Sequence, residues 1–369
     1  MDPQEGRGGQ KQVLAPHGAG SGEPVIDTER LTRWMDDEGL PGKGEPLETN
    51  FIAGGSQNEI YEVRRGELHG ALRIPPPSAP ADRDEGIWRE WRITEALDGT
   101  DVPHTPAIAA CKDKDVLGRA FYLMGFVDGW SPMGLEQPDG TRPWPEPFLS
   151  DLEARKGLGV QLVEGIALLS KVDWRARGLG DVGRPDGFHE RQVERWSTFL
   201  ERFKGRGLPG FEEAKAWLQT HRPIDYIPGI MHGDYQFANV MFRHGAPARL
   251  AAMVDWEMGT VGDPKLDLAH VVQNWPADTM AEEAKTSGYV DLYGMPSKDE
   301  LVARYAEVSG RQVDDLDYYV ILAKWKFAIV LERGYQRAGD DPKLQSFGRI
   351  VLELMQGAAD LAESTDYGR

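Results

Sequence analysis

The chain has 369 residues, 40% of them hydrophobic, and 60 acidic against 42 basic side chains give a formal net charge of −18. That length and apolar content allow two or three compact units, and the acidic balance argues against a nonspecific nucleic-acid surface, which must attract a phosphate backbone. The single cysteine, Cys111, excludes an intrachain disulfide or a cysteine-based metal cluster, and no apolar run approaches the roughly eighteen residues of a membrane-crossing helix.

Residues 1–24 are rich in Gly, Gln and Pro and lack an apolar core segment, so a disordered lead-in is expected rather than a secretory signal, with the cytoplasm as compartment. Short apolar strands with turns follow. Residues 51–53 run into Gly54-Gly55-Ser56, a strand resumes at 59–63, Arg65-Gly66 turns the chain, and 71–74 forms the next strand before Pro75-Pro76-Pro77 stops it. A glycine turn between two strands lets backbone N–H groups approach phosphates, although an ordinary β-turn has the same composition.

Residues 85–97 have helical spacing, with Ile87, Trp91 and Leu97 on one stripe. Two more strands are expected at 107–111 and 121–124. At 128 the composition shifts, with prolines at 132, 138, 143, 145 and 147, and helical patterns dominate afterwards. This divides the chain into an N-terminal lobe over 25–127 and a helical C-terminal lobe over 128–369. Within the second, helices are expected at 151–172, 190–203, 211–220, 266–273, 298–309, 314–337 and 344–362.

Chemistry concentrates at His232-Gly233-Asp234-Tyr235-Gln236-Phe237-Ala238-Asn239. The H-x-D-x-x-x-x-N spacing is that of a loop for phosphoryl transfer from ATP, in which Asp234 accepts the proton of an attacking hydroxyl and Asn239 ligates Mg²⁺. Apolar runs at 240–242 and 250–254, separated by a turn-rich tract, predict a hairpin that returns Asp255 to the neighbourhood of Asn239, where the two could share a metal.

The run from Val254 to Ala269, with Asp255-Trp256-Glu257 and Gly262-Asp263-Pro264-Lys265-Leu266-Asp267-Leu268-Ala269, together with His232-Gly233-Asp234, resembles the aminoglycoside/choline phosphotransferase family. It is most similar to a branch found alone in bacteria and fused to acyl-CoA dehydrogenases in animals. The resemblance implies an α+β, protein-kinase-like bilobal fold, with a small β-rich lobe and a larger helical one. It also implies an ATP- and Mg²⁺-dependent kinase acting on a small-molecule hydroxyl, without nucleic-acid or membrane partners.

Residue by residue, the resemblance makes Asp234 the catalytic base and Asn239 and Asp255 the metal ligands, with Glu257 holding a second metal or its waters. His232 braces the loop and Asp267 ties it down. Gly54, Gly55 and Ser56 cover the phosphates, and Arg73 supplies the nucleotide-binding cation with Glu90 as partner, unless these two form an ordinary surface ion pair. Met124 and Phe126 flank a hinge whose backbone meets adenine. Two positions depart from the family: Ser170 stands where a histidine is common, and the glycine turn lacks G-x-G-x-x-G. For the acceptor, the branch implies a hydroxyacyl thioester or related metabolite and the wider family an aminoglycoside. A nucleotide-binding pseudokinase with a regulatory role is the alternative of another class. Sequence alone places neither Trp275, Asp278, Glu282 nor Glu283 in a substrate pocket, and it fixes no oligomeric state.

Overall fold

A computed structural model describes residues 26–55, 57–137, 140–203, 205–286 and 289–368. The expected disordered lead-in and Ser56 lie outside them. Two compact units emerge, one formed by the chain up to Trp91 with Ala107–Phe126, the other by Arg92–Pro106 with the chain from Val127 onward. Residues 92–106, expected with the N-terminal lobe, thus count with the second unit.

The first unit opens with α1 (Thr28–Asp37), capped by the Asp27 side chain on the Arg30 amide. A ten-residue helix is too short to hold itself in water. It is held by burying Leu31, Trp34 and Met35, the Trp34 ring meeting Phe121 edge-on at 4.8 Å. Strands β1 (Glu48–Gly54), β2 (Glu59–Arg65) and β3 (Leu68–Ile74) are followed by α2 (Arg83–Leu97), β4 (Ala107–Cys111), the single turn α3 (Lys114–Leu117) and β5 (Phe121–Gly125). They form one antiparallel sheet in the order β1-β2-β3-β5-β4.

Because successive strand side chains face opposite ways, β3 and β5 feed two cores. Leu72, Ile74, Phe121 and Leu123 join α1 on one face. Ala71, Tyr122 and Met124 meet Ile87 and Trp91 of α2 on the other. Two-sided burial fits a β3 that is apolar apart from His69 and Arg73.

The second unit is helical. Its helices are α4 (Leu152–Leu169), α5 (Phe188–Glu201), α6 (Phe211–Thr220), α7 (Lys265–Val272), α8 (Lys298–Ser309), α9 (Leu316–Gln336) and α10 (Pro342–Ser364). Local signals start them: Asp151 caps α4, Asp341 with Pro342 opens α10, and Ser297 with Glu300 closes a capping box on α8. Between α6 and α7 run β6 (Gly229–Met231), β7 (Val240–Phe242), β8 (Leu250–Met253) and β9 (Thr260–Gly262). β7 pairs with β8 and β6 with β9, both antiparallel. α4 comes close to this segment because Gly165 has no side chain: a Cβ there would stand 2.6 Å from Leu250 and 2.8 Å from the Tyr235 hydroxyl. Among the described residues no helix is long and apolar enough to cross a membrane.

Candidate active site

The hairpin brings the expected groups together. Val240 lies opposite Met253, and beyond that pair the Val254 amide donates to the Asn239 carbonyl at 3.0 Å. Asp255 follows directly, with φ 67° and ψ 64°, the sole non-glycine residue at positive φ among the described residues. That left-handed conformation costs about 1–3 kcal/mol and persists only where neighbours enforce it. The enforcement is visible on Val254, whose carbonyl accepts from His232 Nε2 at 2.9 Å.

His232 is fully buried between the rings of Tyr235 and Trp256. Its Nδ1 is buried without a hydrogen-bond partner, and the ring braces the loop through Nε2. The next residue must be glycine: Gly233 has φ 84°, and a Cβ would stand 2.4 Å from the Met258 carbonyl oxygen. The loop holding Asp234 thereby lies against the turn Trp256–Met258 that follows Asp255 and carries the half-buried Glu257.

From the other side α7 holds the loop backbone. Asp267 accepts from the His232 amide at 2.6 Å and the Gly233 amide at 2.9 Å. Burial raises the Asp267 pKa, partly offset by His232 and the two amides.

Asp234 itself is held at both carboxylate oxygens. Asn239 Nδ2 donates to its Oδ2 at 2.9 Å and to its main-chain oxygen at 2.7 Å. Gln236 Nε2 donates to Oδ1 at 3.0 Å, and His270 Nε2 stands 3.4 Å from the same oxygen. Burial pushes the Asp234 pKa up, but the hydrogen bond and charge of His270, with help from Asn239, outweigh it and hold the carboxyl below its usual range. Its side chain remains 37% exposed, so a substrate hydroxyl has access.

Asn239 commits its amide hydrogens to Asp234, and its Oδ1 is then the atom available to a cation. Among the described residues no cluster of three or more His, Cys, Asp or Glu is arranged for a metal. An amide oxygen and one or two carboxylates are instead what Mg²⁺ uses when phosphates and water complete its shell. The donor set of Asn239, Asp255 and Glu257 fits an ion of that kind.

In the first unit Arg73 and Glu90 are not a surface pair. Arg73 Nε meets Glu90 Oε2 at 2.8 Å with the two side chains 8% and 0% exposed, and Arg83 takes the other oxygen at 2.5 Å. Arg83 Nε also donates to the Gln57 carbonyl at 3.4 Å, linking α2 to the end of the glycine turn. There Gly54 closes β1, the Gly55 amide donates to the Asn58 carbonyl, and a Cβ on Gly55 would meet nothing within 4 Å.

Part of the expected adenine-facing backbone is already engaged. Met124 lies inside the sheet opposite Ala71 and Ala107, and the Phe126 amide donates to the His69 carbonyl while its ring stacks on His69. Trp275 is core, donating Nε1 to the Pro296 carbonyl. Ser170 closes α4, its hydroxyl donating to the Ala167 carbonyl. Sequence reasoning missed Arg83 and His270. The second had a signal, since it lies three residues after Asp267 and therefore on the same face of α7.

A model of the phosphotransferase enzyme family matches residues 48–301. Acyl-CoA dehydrogenase family member 11 of Pongo abelii is 28% identical, over 92% of this chain and 44% of its own length, so the chain spans less than half of that relative. A Ralstonia eutropha protein provisionally assigned as an aminoglycoside phosphotransferase shares the fold at TM-score 0.75, with 27% identity over 92% of this chain and 98% of its own. The GDP complex of aminoglycoside 2′-phosphotransferase-IIIa superposes at TM-score 0.58, with 14% identity over 89% of this chain and 99% of its own. On its loop, its hairpin and these likenesses, the chain belongs to the phosphotransferase enzyme family and has an α+β, protein-kinase-like bilobal fold.

Proposed function

We propose that the protein transfers the γ-phosphoryl group of ATP to a hydroxyl of a small metabolite, a hydroxyacyl thioester or a close relative of one. The observation that carries this is the Asp234–Asn239 pair, in which one amide fixes the base and keeps its own oxygen for a cation. Asp234 accepts the hydroxyl proton as the oxygen attacks, and its lowered pKa keeps it ionised at neutral pH. Asn239 and Asp255, with Glu257 beside them, would hold Mg²⁺, which supplies positive charge to the phosphates.

In the first unit, Glu90 fixes the Arg73 guanidinium for the nucleotide phosphates, and Gly54 and Gly55, followed by Ser56, form the turn that covers them. Met124 and Phe126 stay in the proposal only as apolar surface for the base. The residues proposed for nucleotide binding fall within 25–127 and those for catalysis within 128–369.

The acceptor reading leans on the relatives named as acyl-CoA dehydrogenases, since a kinase joined to such an enzyme has use for a hydroxyl on an acyl thioester. The aminoglycoside reading keeps the Ralstonia eutropha likeness in its support. A panel of hydroxyacyl-CoA thioesters and aminoglycosides, assayed for ADP release with Asp234→Ala as blank, decides between them. Turnover of hydroxyacyl thioesters alone is the expected result, turnover of aminoglycosides alone reverses the acceptor assignment, and no Asp234-dependent turnover of any kind ends the kinase reading.

A further inference from the structure

α7 presents two polar side chains to the catalytic loop at a spacing of three. Asp267 takes the loop's backbone amides, and His270 reaches the carboxylate of Asp234. The His270 ring is set from two sides. Phe327 meets it edge-on at 5.3 Å between ring centres, and Gln273 Nε2 lies 3.4 Å from its Nδ1 and 3.3 Å from its main-chain oxygen. Gln273 thus holds the Nδ1 edge of the ring, which leaves Nε2 facing Asp234.

Gln236 is fixed in the same manner. The Ala238 amide donates to the Tyr289 hydroxyl at 2.8 Å, and that hydroxyl donates to Gln236 Oε1 at 3.2 Å. The Gln236 amide therefore has its NH₂ toward Asp234 Oδ1. Three donors, two from the loop itself and one from α7, converge on one carboxylate: Gln236 and His270 on Oδ1, Asn239 on Oδ2. Fewer would leave the carboxylate free to rotate about its last torsion, which is soft for Asp.

We infer that His270, with Gln236 held by Tyr289, is a positioning residue that fixes which lone pair of Asp234 meets the acceptor hydroxyl. The inference rests on Asp234 being the base of the proposed reaction. A base displaced by about an ångström loses on the order of a hundredfold in rate, while nucleotide binding does not depend on it.

The test uses the full-length protein with Mg·ATP and water as the acceptor, read as Asp234-dependent ADP release. His270→Leu is expected to lower kcat by about ten- to a hundredfold while the KM for ATP and the melting temperature stay near wild type. His270→Gln, whose amide can place a donor where Nε2 stands, is expected to recover most of the loss. Tyr289→Phe, which deletes only the hydroxyl that orients Gln236, should move kcat in the same direction and covers the case in which His270→Leu does not fold. Wild-type kcat in both His270→Leu and Tyr289→Phe overturns the inference and leaves the role of Asp234 standing. Equal losses in His270→Leu and His270→Gln at unchanged melting temperature also overturn it, because a donor would then not be what matters. Where water gives no Asp234-dependent ADP release, the same variants are read with the acceptor of the panel that the wild type turns over; absence of Asp234-dependent ADP release with water and with the whole panel sinks the phosphotransfer reading itself, and this inference with it.

Discussion

Gly233 is the residue on which the loop turns. Its φ of 84° and the Met258 carbonyl 2.4 Å from where a Cβ would stand leave no room for a side chain. A methyl there must push the turn Trp256–Met258 away and adopt a conformation that L residues disfavour. Gly233→Ala is expected to cost about 1–3 kcal/mol of stability and, by moving Met258, to lower phosphotransfer more than the stability loss explains. Urea denaturation and kcat on the same preparation check this, and a fully stable, fully active Gly233→Ala would contradict the backbone account. Gly55 is the contrasting case, with open space around its Cα. At this scale the sequence was legible where a spacing carries meaning, as from Asp234 to Asn239. It was not legible where a partner is reached through space. His270 is a single side chain on a helix whose periodicity announces only packing, and the carboxylate it meets is close only in the folded chain; Arg83 and Glu90 share α2 at a spacing of seven, which puts them on one face, and there the signal was overlooked.

The elements show the same division. The β7–β8 hairpin could be read from two apolar runs around a turn-rich tract, and most helices of the second unit from their stripes, with ends within a few residues of those expected. α1 was overlooked because it carries only three buried apolar residues behind a glycine-rich lead-in, although Asp27 before Leu31, Trp34 and Met35 is a capped helical pattern. The β6–β9 pair has three residues per strand and no turn joining them, so nothing local marks it. Position within an element also carries energy. Asp84, in the first turn of α2, accepts from Arg119 at 2.9 Å and the Ala120 amide at 3.2 Å and pairs with Lys114 at 2.7 Å. Burial would raise its pKa, but Lys114, Arg119 and that amide hold it below the ordinary carboxylate value. Asp84 therefore binds its proton less readily folded than unfolded. Its stabilisation is complete above the unfolded pKa of about 4 and is lost as pH falls through the lower folded value. Asp84→Asn should thus destabilise by about 1–3 kcal/mol at neutral pH, with the gap to wild type closing below about pH 4. Urea denaturation at pH 7, 5 and 3.5 measures it, and a gap independent of pH would rule the ionic account out.

At the scale of the whole molecule, the net charge of −18 complicates any metal experiment. An acidic surface gathers divalent cations diffusely, and millimolar Mg²⁺ will shift stability through screening alone. A bound nucleotide acts differently, by mass action on the folded state, contributing about 2.7 kcal/mol at a hundred times its Kd. The two effects separate at constant ionic strength. Wild type with Mg²⁺ alone should show a small shift that added NaCl reproduces, and with Mg·ATP a further shift that grows with the logarithm of ATP concentration. Asp255→Ala should keep the first and lose most of the second, because it removes the carboxylate proposed to hold the cation against the phosphates. It also removes a side chain from the strained position beyond Val254, so its melting point without nucleotide is the baseline for its own titration. Asp234→Asn, which changes the base and not the proposed metal ligands, should retain the ATP-dependent shift. If Asp255→Ala responded to Mg·ATP as the wild type does, the metal assignment would have to move elsewhere on the loop, whatever the fate of Asp234 as base.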